Sequence, residues 1–270
     1  MSTEGVAAAS GIELRWREAG AGDPLVLVHG FPVDGRVFDG QLAAAGAGTL
    51  RARLVCPDLP GFGATPLPHP APEVLEIEVL AEGLADLLRH LAARPAVVGG
   101  VAIGGYIAIE LAARHPEAVR GLVLMGNRAA PDSPAMAPKR EEVARLALDA
   151  GSAAVADELA SQPLGPDASA DVRERVRSMI VAADPLGIAA LVRGLARRPD
   201  PTPALEGLRV PVLVIGGSLD PFTPPAEATR LTGLIPGARL VELTGVGHHA
   251  PLEAPDRVTA AINAFMASVP

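Results

Sequence analysis

A chain of 270 residues with 49% apolar and 20% charged side chains has enough hydrophobic sequence for one large core, which excludes an intrinsically disordered protein. Its formal net charge of -8 offers no basic surface, so the expected partner is a small molecule, with no nucleic acid and no membrane. Cys56 is the single cysteine, and the N-terminal residues lack the basic and apolar regions of a signal peptide, so no intrachain disulfide forms and a cytoplasmic protein is expected. The sequence is silent on oligomeric state.

Residues 12–17 alternate apolar and polar side chains as a half-buried strand does, and 24–28 form a short apolar run stopped by His29-Gly30. A third run at 54–56 closes in the turn-rich residues 57–63, and a helix-period stretch follows over 74–92. Residues 96–98 predict a strand ending in glycines. Residues 103–114 predict a helix stopped at His115-Pro116, and 122–125 another strand. Strands alternating with helices of this length imply parallel pairing with right-handed crossovers: an α/β fold with a mostly parallel twisted sheet and helices on both faces. Ligand sites in such sheets form at the carboxyl ends of the strands.

Between residues 129 and 208 the strand pattern disappears, and helix-period segments at 139–150, 171–182 and 188–196 follow one another. The expected organisation is an α/β core, 1–128 with 209–270, and a helical lid insertion at 129–208. Strands resume at 212–215 and 239–243, and a helix at 256–267 ends the chain.

Four loops follow predicted strands: His29-Gly30-Phe31-Pro32, Gly100-Val101-Ala102-Ile103-Gly104, Ser218-Leu219-Asp220-Pro221 and Gly245-Val246-Gly247-His248. Parallel strands bring all four to one edge. On these residues the chain resembles the α/β-hydrolase family over nearly its whole length, close to the small esterase and lactonase-like members, enol-lactonases included. In that family the strand-to-helix turn reads GxSxG, because flanking glycines allow a sharp backbone turn that pushes a nucleophile into the site. Here the turn is GVAIG. Val97-Val98 before it and Gly105-Tyr106-Ile107-Ala108 after it fix the register, so the family's serine falls on Ala102.

The resemblance implies that Asp220 and His248 are the acid and the base, in the family's order after the nucleophile. It also implies an oxyanion hole made by the backbone N–H groups of Phe31 and Ile103. Gly30, Asn127 and His249 lie at the expected site edge as candidate substrate contacts. Each residue taken alone has a plainer reading: an aspartate before proline forms turns, a histidine after a strand is commonly structural, and Gly30-Phe31-Pro32 suits a tight turn.

No metal is expected, because His248 and His249 are adjacent and lack carboxylate or thiolate companions. No cofactor is expected either, since the glycines from 99 to 105 lie mid-chain without the acidic residue of a dinucleotide fold. Cys56 reads as a buried small hydrophobe, Asp58, Gly61 and Gly63 as turn-formers, and His69, His90 and His115 as surface or helix-end residues.

Alanine has no proton for His248 to remove and no lone pair for attack, which closes the acyl-enzyme route. Deleting the serine of such a triad costs on the order of 10^6 in turnover. Three readings follow. In the first, a carboxylic ester or lactone hydrolase is inactivated by Ala102. In the second, alanine is native and His248 serves as general acid/base in a lyase, isomerase, cyclase or cofactor-free oxygenase. In the third, the silent pocket and lid sense a small ligand.

Overall fold

The computed structural model describes residues 2–9 and 12–270. The sheet is built from β1 (Thr3–Ala9), β2 (Ile12–Ala19), β3 (Pro24–Val28), β4 (Arg53–Asp58), β5 (Ala96–Val101), β6 (Val119–Met125), β7 (Val212–Gly217) and β8 (Arg239–Leu243). Its strand order is β1-β2-β4-β3-β5-β6-β7-β8. β2 runs antiparallel to β1 and β4, and every other pairing is parallel.

Among the described residues ten α-helices connect and cover the strands: α1 (Asp39–Gly46), α2 (Ile77–His90), α3 (Ile103–Arg114), α4 (Met136–Leu159), α5 (Ala170–Ala182), α6 (Pro185–Arg197), α7 (Thr202–Gly207), α8 (Pro225–Leu234), α9 (Ala250–Glu253) and α10 (Pro255–Met266). The residues between β6 and β7 hold α4 to α7 and no strand. Among the described residues no single helix is long and apolar enough to cross a membrane.

The apolar runs in the sequence are the strands covered on both faces. Every residue of β5 and β7 is buried, as are Leu25 to Val28 of β3. β2 keeps its alternation, with Ile12, Leu14 and Trp16 inward and Arg15 exposed. β8, at the sheet edge, buries only Leu243.

Several elements lay outside the sequence reading. β1, Thr-Glu-Gly-Val-Ala-Ala-Ala, has no alternation and pairs with β2 from Thr3↔Glu18 to Ala9↔Ile12, so its extended form comes from the ladder. Gly5 lets it lie on Trp16, whose ring would stand 2.2 Å from a Cβ there. α1 and α8 carry weak helical periodicity, and α1 is held from outside where Gln41 Nε2 donates to the Pro255 carbonyl at 3.1 Å. α4 extends beyond the expected 139–150 because the chain resumes helix after Gly151, whose φ of 80° and ψ of 175° break it.

The sheet reverses its direction of growth between β3 and β5, since β4 lies on one side of β3 and β5 on the other. Loops that leave this switch point part company and open a crevice.

Candidate active site

The turn from β5 to α3 is shaped by close packing. A Cβ on Gly99 would stand 2.0 Å from the Val123 carbonyl oxygen, and Cβ atoms on Gly100 and Gly104 would stand 2.2 and 2.1 Å from that of Val28. Only glycine permits this approach. Between them Ala102 takes φ 48° and ψ -111°, a conformation that costs a residue with a Cβ about 1–3 kcal/mol. Its neighbours hold it there. Ala102 N–H donates to Met125 O at 2.8 Å, and its carbonyl accepts from Gly105 N at 3.0 Å and Asn127 Nδ2 at 2.7 Å.

The β3 loop abuts this turn, for a Cβ on Gly30 would stand 3.2 Å from Val101 O. His29 secures the loop: its Nε2 accepts from Leu59 N–H at 2.9 Å, so its Nδ1 carries the proton and donates to Gly30 O at 2.9 Å. Asp58 does similar work, taking Gly35 N–H at 2.7 Å and Ala64 N–H at 2.9 Å, while burial pushes its carboxyl above the usual carboxylate range. The N–H groups of Phe31 and Ile103 donate to no protein acceptor among the described residues. Ile103 is free because the first turn of a helix leaves its amides unpaired.

Asp220 follows β7 and His248 follows β8. The Asp220 carboxylate is 4% exposed and accepts His248 Nδ1 on Oδ2 at 2.7 Å. Its Oδ1 takes the N–H groups of Phe222 and Thr223, each at 2.8 Å, which orients the other oxygen toward the ring. The two loops are zipped together by Leu219 N–H to Val246 O at 2.9 Å and Gly245 N–H to Ser218 Oγ at 2.9 Å. With Nδ1 donating to the carboxylate, Nε2 is the basic nitrogen of His248. The ring is 7% exposed, and Phe222 stands edge-on to it with centroids 5.3 Å apart.

The remaining candidates lie close by. Asn127 is buried beneath the Ala102 turn, and among the described residues its side chain hydrogen-bonds to Ala102 O alone. His249 is 1% exposed, with its ring centroid 5.7 Å from that of His248 and neither ring nitrogen bonded among the described residues. Burial, with the charge of His248, pushes its pKa down to about 3. Cys56 is buried within β4, and burial pushes its thiol up, away from the reactive thiolate.

Sequence reasoning passed over Gly126 and Glu253. Gly126, at the end of β6 with φ 64°, faces His248 so closely that a Cβ would stand 2.7 Å from Cε1. A glycine after a strand was the only available signal. Glu253 had none. Among the described residues no three His, Cys, Asp or Glu side chains converge as a metal site would require.

The arrangement brings a strained turn, two unengaged amides and a carboxylate-oriented imidazole to the carboxyl ends of adjacent strands. The sequence profile of the Alpha/beta hydrolase family matches residues 25–261. A pimeloyl-[acyl-carrier protein] methyl ester esterase of Aromatoleum aromaticum is 32% identical over 251 residues, covering 86% of this chain and 93% of its own. Among solved structures, a thermophilic esterase from Thermogutta terrifontis superposes with a TM-score of 0.90 at 34% identity, covering 99% of this chain and 98% of its own. The enol-lactonase from Burkholderia xenovorans LB400 superposes with a TM-score of 0.85 at 28% identity, covering 97% of this chain and 100% of its own. The chain belongs to the alpha/beta hydrolase family.

Proposed function

We propose that the site is that of a carboxylic ester or lactone hydrolase acting on a small molecule, with Ala102 in the nucleophile position and turnover strongly impaired. The observation that carries this reading is Ala102 itself, held at φ 48° and ψ -111° on the sheet edge that bears the Asp220–His248 pair. That backbone is costly for alanine and has a use when a side chain must be thrust at a substrate. The esterase and enol-lactonase relatives support the ester and lactone class.

In this reading the substrate carbonyl oxygen points at the amides of Phe31 and Ile103, and Gly30 and His249 border the bound molecule. Residues 129–208 form the lid, and no cofactor takes part. With a serine at position 102, Oγ attacks the carbonyl carbon as its proton passes to His248 Nε2. The two amides stabilise the oxyanion, which collapses as His248 returns the proton to the departing alkoxide. Water then repeats the sequence on the acyl-enzyme. Asp220 holds the ring and stabilises its cationic form. With Ala102 the first step has no side-chain nucleophile, and what remains is slow attack on the carbonyl carbon by a water that gives its proton to His248 Nε2.

The test is Ala102→Ser assayed on short aryl esters and simple lactones. Turnover rises by on the order of 10^4-fold or more. A folded serine variant with no gain overturns the reading and leaves His248 as the acid/base of a non-nucleophilic reaction.

A further inference from the structure

Glu253 closes α9, the short helix that begins just after His249. Its carboxylate gathers three backbone amides. Oε2 accepts from Gly165 and from Gly247, both at 2.9 Å, and Oε1 accepts from His249 at 3.1 Å. Gly247 and His249 are the two neighbours of His248. The N–H of His248 itself donates to the carbonyl of Pro163 at 2.7 Å. Three successive amides of the base-bearing loop are therefore engaged, two by Glu253 and one by the helical insertion, and the insertion's Gly165 shares the same carboxylate.

The two segments are also in hard contact. A Cβ on Gly247 would stand 2.4 Å from Gly165 N and 2.7 Å from Pro163 O. Hydrogen bonds to an ionised carboxylate are about twice as strong as those between neutral groups, so this junction is more than incidental packing. An imidazole placed by its own loop inherits any looseness of that loop, and displacement by about 1 Å is enough to lose most of a proton-transfer geometry.

We infer that Glu253 is a positioning residue for His248: it clamps the loop that carries the imidazole onto residues 163–165 of the insertion and so sets the ring against Asp220. Residues 163–165 then support the base. The catalytic meaning of the clamp rests on the proposed role of His248 as base; its effect on the His248 ring does not.

The test uses the chain with Ala102 in place, comparing it with Glu253→Gln and Glu253→Asp by NMR. Glutamine keeps the shape but turns an NH2 toward an amide. Amide exchange at Gly165, Gly247 and His249 accelerates together by about tenfold or more in Glu253→Gln. The His248 Nδ1 proton, shared with Asp220, broadens or moves upfield and the ring titrates at a different pH, with Glu253→Asp intermediate. A folded Glu253→Gln whose His248 proton and titration are unchanged overturns the inference, even if its melting temperature falls. If neither variant folds, exchange in the unsubstituted chain decides: common protection at Gly165, Gly247 and His249 upholds the clamp, and unrelated protection overturns it. A displaced His248 proton together with an inert Ala102→Ser variant leaves the clamp standing and removes the hydrolase reading instead.

Discussion

The side-chain amide of Asn127 donates to the carbonyl oxygen of Ala102 at 2.7 Å. The residue that follows the β6 turn thus ties down the strained turn after β5. A Cβ on Gly105 would strike Asn127 Oδ1 at 2.1 Å, so glycine there is what admits the amide. Asn127→Ala leaves the Ala102 carbonyl without this donor and is expected to cost about 1–3 kcal/mol of unfolding free energy, measured by urea denaturation. In an Ala102→Ser background it also lowers kcat more than it raises KM. A loss below about 0.5 kcal/mol means that Asn127 does not hold the turn.

Gly126→Ala tests the space in front of His248. The new methyl meets His248 Cε1 at 2.7 Å and sits on a backbone with φ 64°. The expected result in the Ala102→Ser background is at least about a hundredfold loss of kcat/KM, with a stability loss of about 1–2 kcal/mol. Unchanged hydrolysis in that variant places no importance on the His248 position.

His249 makes stability depend on pH. Its folded pKa lies at about 3, below its ordinary 6.5, because burial disfavours the charged ring. Between these values the unfolded chain binds the extra proton, so stability rises with pH there and is lost as pH falls from about 6.5 toward 3. Asp58 acts in the opposite sense, since burial raises its pKa. Both chains share Asp58, so a comparison with His249→Phe isolates the histidine. The urea midpoint of the phenylalanine variant is expected to fall less between pH 7.5 and pH 5 than that of the parent, by on the order of 1 kcal/mol or more in unfolding free energy. Parallel curves refute the assignment.

Arg198 ties together the two ends of the helical segment between β6 and β7. Its buried guanidinium lies 2.9 Å from Asp132 Oδ1, donates to Ala130 O at 3.3 Å and to Leu195 O at 3.0 Å, and stacks 4.6 Å over the Tyr106 ring of α3. Burial works to raise the Asp132 carboxyl, and Arg140 and Arg198 together hold it below its ordinary value. Arg198→Met leaves the partly buried Asp132 with Arg140 alone and is expected to cost about 2–4 kcal/mol. Limited proteolysis between β6 and β7 quickens in parallel. Wild-type protease resistance and stability in this variant count against the tie.

The legible parts of the fold were those with a local record. The uninterrupted apolar runs of β3, β5 and β7 reflect strands buried on both faces, and the 3.6-residue period of α3 with His115-Pro116 after it records where that helix stops. The glycines around Ala102 mark the sharp turn because their dihedral freedom and missing side chains are properties of the residues themselves. β1 left no such mark, since its strand form comes from β2, and neither did α1, whose helix is held by contacts from the end of the chain.

Residue order alone put Ala102 on the turn between a strand and a helix, and put Asp220 and His248 after later strands. That His248 Nδ1 meets Asp220 at 2.7 Å, that Asn127 reaches the carbonyl of Ala102, and that Glu253 binds Gly165 of the segment between β6 and β7 were decided by the tertiary structure. Periodicity and turn chemistry report on a residue and its near neighbours. Hydrogen bonds between loops distant in sequence depend on strand order, register and the depth at which each loop is buried, which exist only once the sheet has assembled.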